Sequence, residues 1–164
     1  MLRETGMKNL FFYDTELGRI GIAEENSFIT DLYFISEKVP KDAQISETPL
    51  IKEAAKQLAE YFEGKRKCFV LPLAPKGTEF QLKVWNELQK IPYGMTLSYR
   101  EVAKRVGNEK ACRAVGMANN RNPIPIIIPC HRVIGSNGEL VGYGGGLHIK
   151  MRLLELEKAF VISR

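Results

Sequence analysis

The 164-residue chain is poor in the residues on which many functions depend. It holds three cysteines (Cys68, Cys112, Cys130) and two histidines (His131, His148). An odd, widely spaced set with no C-x-x-C pair argues against a disulfide scaffold or a sulfur-based zinc site. The first 75 residues contain only Cys68 and no histidine, so no metal is expected there. A P-loop and a G-x-G-x-x-G stretch are both missing, which leaves no motif for a nucleotide cofactor. No apolar run approaches the roughly 18 residues of a membrane span. The opening MLRETGMKNLFFYD lacks the small-residue cleavage site of a signal peptide. These absences point to an intracellular, cytoplasmic protein with reduced thiols and with no metal, cofactor or membrane partner.

What is present is unevenly distributed. Residues 1–75 carry 10 Lys/Arg against 12 Asp/Glu, whereas residues 76–164 carry 14 against 7, within a whole-chain charge of +5. A basic second half suits a polyanion such as nucleic acid, although many basic surfaces are simply solvated.

The patterning divides at the same place. LFFYDT, GRIGIAEE and FITDLYFIS are β-forming runs separated by turn residues, and they predict an antiparallel meander. Lys38–Thr48 reads as a loop. Pro49 suits a first helical position, and Leu50, Ile51, Ala54, Ala55, Leu58, Tyr61 and Phe62 recur at helical spacing up to Gly64. CFVLPL (68–73) predicts a short strand, and APKG (74–77) a domain junction. Thr78 then opens a helix with Phe80, Val84, Trp85 and Leu88 on one face, stopped by Pro92. Ser98 with Glu101 forms a capping box, starting a helix over 99–106 that ends at Gly107-Asn108. A second helix is predicted over 109–119, and the pair makes a helix-turn-helix. The predicted class is α+β: an N-terminal antiparallel-sheet domain (1–75) and a mostly helical C-terminal domain (76–164).

The second helix of the pair, EKACRAVGMAN, has small residues at Ala111, Ala114, Gly116 and Ala118. Helices that read a major groove normally project several long polar side chains. Small residues instead suit either close helix packing or a backbone approaching the minor groove, which is only about 6 Å wide.

The stretch IPIIIPCHRVIG (124–135) sets a cysteine against a histidine at the end of an apolar, proline-bounded run. A thiol buried there would be an inert core residue, or one held rigidly for reaction. In the second case an adjacent imidazole is the usual device for removing its proton. Side chains of neighbours in an extended segment point apart, so a bridging water would be needed. The isoleucines read as a buried β-type element. Glu157, near the edge of an apolar stripe in a helix predicted over 148–159, would face either solvent or the interior.

The pattern Pro123-Ile124-Pro125-Ile126-Ile127-Ile128-Pro129-Cys130-His131-Arg132-Val133-Ile134 resembles the active-site signature of the O6-alkylguanine-DNA alkyltransferases, or methylated-DNA–protein-cysteine methyltransferases. The likeness extends to Phe80-Gln81, Val84-Trp85, Ile91-Pro92-Tyr93-Gly94, Ser98-Tyr99, Arg113-Ala114-Val115-Gly116, Asn122-Pro123, Tyr143 with Gly145-Gly146-Leu147, and Leu153-Leu154 with Glu157. It covers essentially all of residues 78–158; the first 75 match only in general style.

The resemblance implies a ribonuclease H-like N-terminal domain that supports the C-terminal one. It implies a DNA repair protein that flips O6-alkylguanine from duplex DNA, with O4-alkylthymine a second candidate substrate. The alkyl group passes irreversibly to Cys130 in a single turnover. His131 would take the thiol proton through a bridging water, and Glu157 would orient the imidazole. The duplex would be bound by a monomer through its minor groove. Arg113 would fill the gap in the base stack, and Tyr99 would donate to guanine N3. Backbone groups near Val133 and Gly144 would meet the base edges. Asn122 would hold the recognition helix in register with the active-site segment, and Ser98 and Arg121 complete the DNA-contacting set. Relatives often carry serine or another small residue at the Gly144 position, so more room is expected here. Some relatives bind zinc in the N-terminal part, where this chain lacks the ligands. His148 is expected to be a helix-entry residue.

Three other readings compete. An alkyltransferase-like binding protein would lack the acceptor cysteine. An ordinary helix-turn-helix regulator would not explain Pro129-Cys130-His131 and would carry more base-reading side chains. A cysteine hydrolase would need an oxyanion-hole motif, and none is evident.

Overall fold

The computed structural model describes residues 7–35, 37–138, 142–143 and 145–158. Two compact units, Met1–Pro75 and Lys76–Arg164, are distinguished. In the first, β1 (Asn9–Thr15), β2 (Gly18–Glu25) and β3 (Phe28–Phe34) form the predicted antiparallel meander. The inward-facing Leu10, Ile20, Ile22, Ile29 and Leu32 are buried with Ile51, Ala54, Leu58 and Tyr61 of α1 (Pro49–Phe62). Thr48 caps that helix through Ile51 N, with Pro49 at its first position, where no N–H is needed.

Two expectations for this unit need correction. The predicted loop contains a short strand, β4 (Gln44–Ile45), which pairs parallel with β1 and gives the order β3-β2-β1-β4. CFVLPL is no strand but a single parallel bridge from Leu73 to Ile29. Pro72 accepts from Ile29 N at 2.8 Å yet has no N–H to return, so the ladder cannot lengthen.

The second unit is helical. Thr78 and Gln81 make a reciprocal capping box for α2 (Glu79–Leu88). Gly77 leaves room for this turn, since a Cβ there would stand 2.5 Å from the Trp85 ring. Removing the cap hydroxyl in Thr78→Ala is expected to cost about 1 kcal/mol, read as a lower urea midpoint with an unchanged slope. Trp85, buried on the inner face of α2, donates from Nε1 to Ala118 O at 2.8 Å and fixes the position of α4 (Cys112–Asn120).

Ser98 caps α3 (Tyr99–Arg105) with Glu101 in a second capping box. Gly107, at φ +93°, makes the left-handed exit from α3 into the turn between the paired helices. The following helix begins three residues later than predicted. Asn108 is the cause: its Oδ1 accepts from Lys110 N and its carbonyl from Ala111 N, a local turn that competes with helix. α5 spans Leu147–Glu157, and the Ala159 end predicted for it lies outside the described residues.

The isoleucine run is not a β-type element. Ile128 N bonds back to Ile124 O at 2.9 Å, and Ile126 sits at φ +74°, rarely adopted by a β-branched residue. Pro123, Pro125 and Pro129 withhold the N–H groups a ladder would require. The segment is therefore a tight loop, buried from Ile124 to Ile128. It runs into a 3₁₀ turn, Cys130–Arg132, and then β6 (Val133–Ile134), which pairs parallel with β5 (Leu97–Ser98).

Candidate active site

The loop and turn carry the reactive pair into the core of the second unit. Cys130 is 3% exposed, and His131 is fully buried. Burial pushes the thiol up to about 11; Asn122, the charge of Lys150 and Tyr143 oppose that rise without cancelling it. The thiol is thus neutral at rest, and a base must act when it reacts.

His131, next in sequence, is held by a carboxylate. Its Nε2 lies 2.8 Å from Glu157 Oε2. Glu157 also takes two bonds from Arg132, Nε to Oε1 and Nη2 to Oε2, each at 2.9 Å. Gly94 N adds a fourth at 3.1 Å. Burial pushes the Glu157 carboxyl up, but the bonds from His131 and Arg132 outweigh it and hold the group well below the usual carboxylate range. An ionised carboxylate only accepts, so Nε2 must carry the hydrogen and Nδ1 the lone pair. Nδ1 is buried and has no hydrogen-bond partner within the protein. Burial also lowers the imidazole pKa, with Glu157 opposing and Arg132 and Lys150 adding to the fall. The ring is therefore held in its neutral form, with the Nδ1 lone pair able to accept a proton.

Asn122, at the exit of α4, ties the loop together. Its Nδ2 donates to Ile128 O at 2.8 Å and its Oδ1 accepts from Ile124 N at 3.0 Å. Tyr99, the first residue of α3, lies half-buried beside Cys130. Burial raises its pKa, Cys130 adds to the rise, and Asn119 opposes it. Val133 is buried directly after the turn. Arg113 and Arg121 are exposed at the two ends of α4, apart from this buried group. Ser98 serves as the cap of α3, bonding Glu101 N at 3.0 Å. Gly144 lies outside the described residues. His148 is exposed in the first turn of α5. Among the described residues no cluster of His, Cys, Asp and Glu is placed to hold a metal ion.

Three residues at the site escaped the sequence reading. Arg132, 6% exposed, also donates to Ile91 O at 2.7 Å and lies 5.8 Å from the Tyr93 ring centre. Lys150 is 0% exposed; its Nζ donates to Val133 O at 2.7 Å and stands 5.9 Å from the centre of the Tyr99 ring. Burial brings its pKa down to about 8, against the pull of Cys130. Asn119, on α4, donates from Nδ2 to Cys130 O at 3.2 Å. The available signal for Lys150 was its place in the apolar stripe with Ile149, Leu153 and Leu154.

A helix-turn-helix unit that buries a thiol beside a histidine–carboxylate pair defines the class: a DNA-binding protein with a nucleophile of its own. Residues 79–159 match the family model for 6-O-methylguanine DNA methyltransferase, DNA binding domain, and residues 11–75 match its ribonuclease-like domain. The methylated-DNA–protein-cysteine methyltransferase of Methanosarcina acetivorans is 50% identical over 149 residues, covering 88% of this chain and 95% of its own length. The constitutive methylated-DNA–protein-cysteine methyltransferase of Bacillus subtilis is 49% identical over 152 residues, 88% of this chain and 92% of its own. Among solved structures, Mycobacterium tuberculosis OGT in complex with DNA superposes with a TM-score of 0.87 at 43% identity, covering 92% of this chain and 93% of that one. This chain belongs to the 6-O-methylguanine DNA methyltransferase family.

Proposed function

We propose that the protein repairs O6-alkylguanine in duplex DNA by moving the alkyl group irreversibly to Cys130, once per molecule. The observation that carries this reading is the buried imidazole next in sequence to Cys130, with Nε2 bound to Glu157 and Nδ1 left as an acceptor. His131 Nδ1 takes the thiol proton through a bridging water as Cys130 Sγ attacks the alkyl carbon. The carbon–O6 bond breaks, and its electron pair leaves with the base. Tyr99 donates to N3, where negative charge grows during departure. The thioether product has no good leaving group, so the thiol is not regenerated.

A base inside the stack cannot reach a buried thiol, so the lesion must be flipped out. α4 enters the minor groove with its small residues, and Arg113 fills the gap in the stack. Val133, Arg121, Ser98 and the Gly144 backbone complete the contacts, while Asn122 keeps α4 in register with the active-site loop. The first unit supports the second. The protein works as a monomer in the cytoplasm; among the described residues no helix is long and apolar enough to cross a membrane.

Intact-mass measurement after incubation with O6-methylguanine DNA tests the reading. One methyl group per chain, on the peptide holding Cys130, is the expected result. Lesion binding without a mass change would move the protein to the binding class. Arg113→Ala separates the DNA step from the chemistry. It is expected to slow transfer from duplex about 10- to 100-fold, as loss of a stacking contact worth about 1–3 kcal/mol implies. Transfer from free O6-benzylguanine should be unchanged. Equal losses on both substrates would contradict the stack-filling role.

A further inference from the structure

Arg132 follows Cys130 and His131 in the 3₁₀ turn and is buried with them, yet no step of the transfer passes through it. Its guanidinium grips both oxygens of Glu157, Nε to Oε1 and Nη2 to Oε2, each at 2.9 Å. Nη1 donates to Ile91 O at 2.7 Å. The segment after α2 adds two further contacts. The Tyr93 ring centre lies 5.8 Å from the guanidinium, and Gly94 N donates to Glu157 Oε1 at 3.1 Å. The carboxylate is thus fixed at both oxygens, and Oε2 is shared between Arg132 and His131 Nε2. A planar guanidinium supplies such a fork, and a point-like ammonium does not.

Charge gives the fork a second consequence. An imidazole bonded to a lone carboxylate is drawn toward taking a proton, because an opposite charge favours the charged form. One extra proton on such a pair leaves a hydrogen on Nδ1, whether the ring becomes a cation or the carboxyl becomes the donor to Nε2. That ring could no longer accept the thiol proton. Here burial first, and then the charges of Arg132 and Lys150, disfavour a charged ring against the pull of Glu157. Glu157 and Lys150 come from α5, and Arg132 and the neutral Cys130 from the turn itself. The buried side chains of α2, which also packs on the turn, are the apolar Val84, Trp85 and Leu88. We propose that Arg132 is a positioning residue for the transfer: its fork neutralises and holds Glu157, so that His131 keeps Nδ1 free of a hydrogen until the thiol reacts. This rests on the alkyl-transfer reading above and deepens it.

The test follows methyl transfer to Cys130 by intact mass, from a single-stranded O6-methylguanine oligonucleotide, across neutral pH. Rates are divided by the folded fraction, read by circular dichroism, so that lost stability alone leaves the pH of half-maximal rate in place. Arg132→Met is expected to move that midpoint up by about 1–3 pH units, the scale on which a nearby charge acts. The loss should be greatest in acid and recover as pH rises. Arg132→Lys, which keeps the charge without the fork, should react more slowly but stay near the wild-type midpoint. An Arg132→Met protein slowed evenly at every pH, or an Arg132→Lys midpoint shifted as far as that of Arg132→Met, would overturn the proposal. A ¹⁵N NMR titration of the His131 ring in the wild-type protein needs no variant to fold. An uncharged ring with its hydrogen on Nε2 is expected at neutral pH, and an imidazolium or a hydrogen on Nδ1 would overturn the proposal. Wild-type protein that gains no methyl group at any pH would instead bring down the alkyl-transfer reading, and the ring titration would still report on the state that Arg132 is proposed to hold.

Discussion

Cys130→Ser is expected to bind lesion-containing DNA and gain no alkyl group from it, a loss of more than about 10³-fold in transfer rate. The change removes a polarizable sulfur whose proton a neutral imidazole can take. It substitutes a hydroxyl far too weakly acidic for His131 to ionise. The resting thiol is already high, at about 11, because burial outweighs Asn122 and Lys150, so the site has little margin to lose. The fold should survive, because the local architecture depends on the backbone of residue 130. Its N–H bonds Ile128 O at 2.8 Å, and its carbonyl receives Asn119. Intact mass, circular dichroism and lesion binding on one preparation check all three statements. Alkyl transfer persisting in the variant, or an adduct mapped to Cys68 or Cys112 in the wild type, would defeat the assignment. Both of those thiols are more exposed than Cys130, so accessibility alone would favour them.

Local signals made much of the frame legible. The capping boxes at Thr78/Gln81 and Ser98/Glu101, the proline at the start of α1 and the alternating runs of the meander each act within a few residues. Where two local signals competed, the stronger hydrogen-bonding one prevailed. Asn108 delayed α4 by forming its own turn, and three prolines turned an isoleucine run that reads as β into a loop. The site was harder to read because its polar members are satisfied by partners distant in sequence. The Arg132 guanidinium is held by Ile91 O, 41 residues away, and by Glu157, 25 away. Lys150 interrupts an apolar stripe, and Val133 O and Gly142 O face its ammonium. For Glu157, periodicity left inward and outward orientations open; the arginine and the imidazole meeting it in the core decide between them.

That arrangement sets the second large effect: Glu157→Gln is expected to cost about 3–5 kcal/mol of stability near neutral pH, the usual consequence of leaving a buried charge unpaired. The carboxylate accepts four hydrogens, from His131, twice from Arg132 and from Gly94 N. A carboxamide offers a single oxygen and turns an NH₂ toward donors that the second oxygen now receives. Arg132, buried and permanently charged, would keep the Ile91 carbonyl but lose its counter-charge. The pH dependence has a definite sign. Because the Glu157 pKa is lowered on folding, its contribution is complete above the unfolded carboxyl pKa of roughly 4.3. It declines as pH falls from there toward the folded value. Urea unfolding should therefore show the largest gap between wild type and Glu157→Gln at pH 6–7, narrowing by pH 3 as the unfolded wild-type carboxyl takes up its proton. A gap that stays constant over that range, or one under about 1 kcal/mol at neutral pH, would show that the ion pair does not anchor this end of α5. Arg132→Met in the Glu157→Gln background supplies the decisive comparison. If the cost arises from the stranded guanidinium, removing it should restore part of the stability, and the two substitutions together should cost less than their sum.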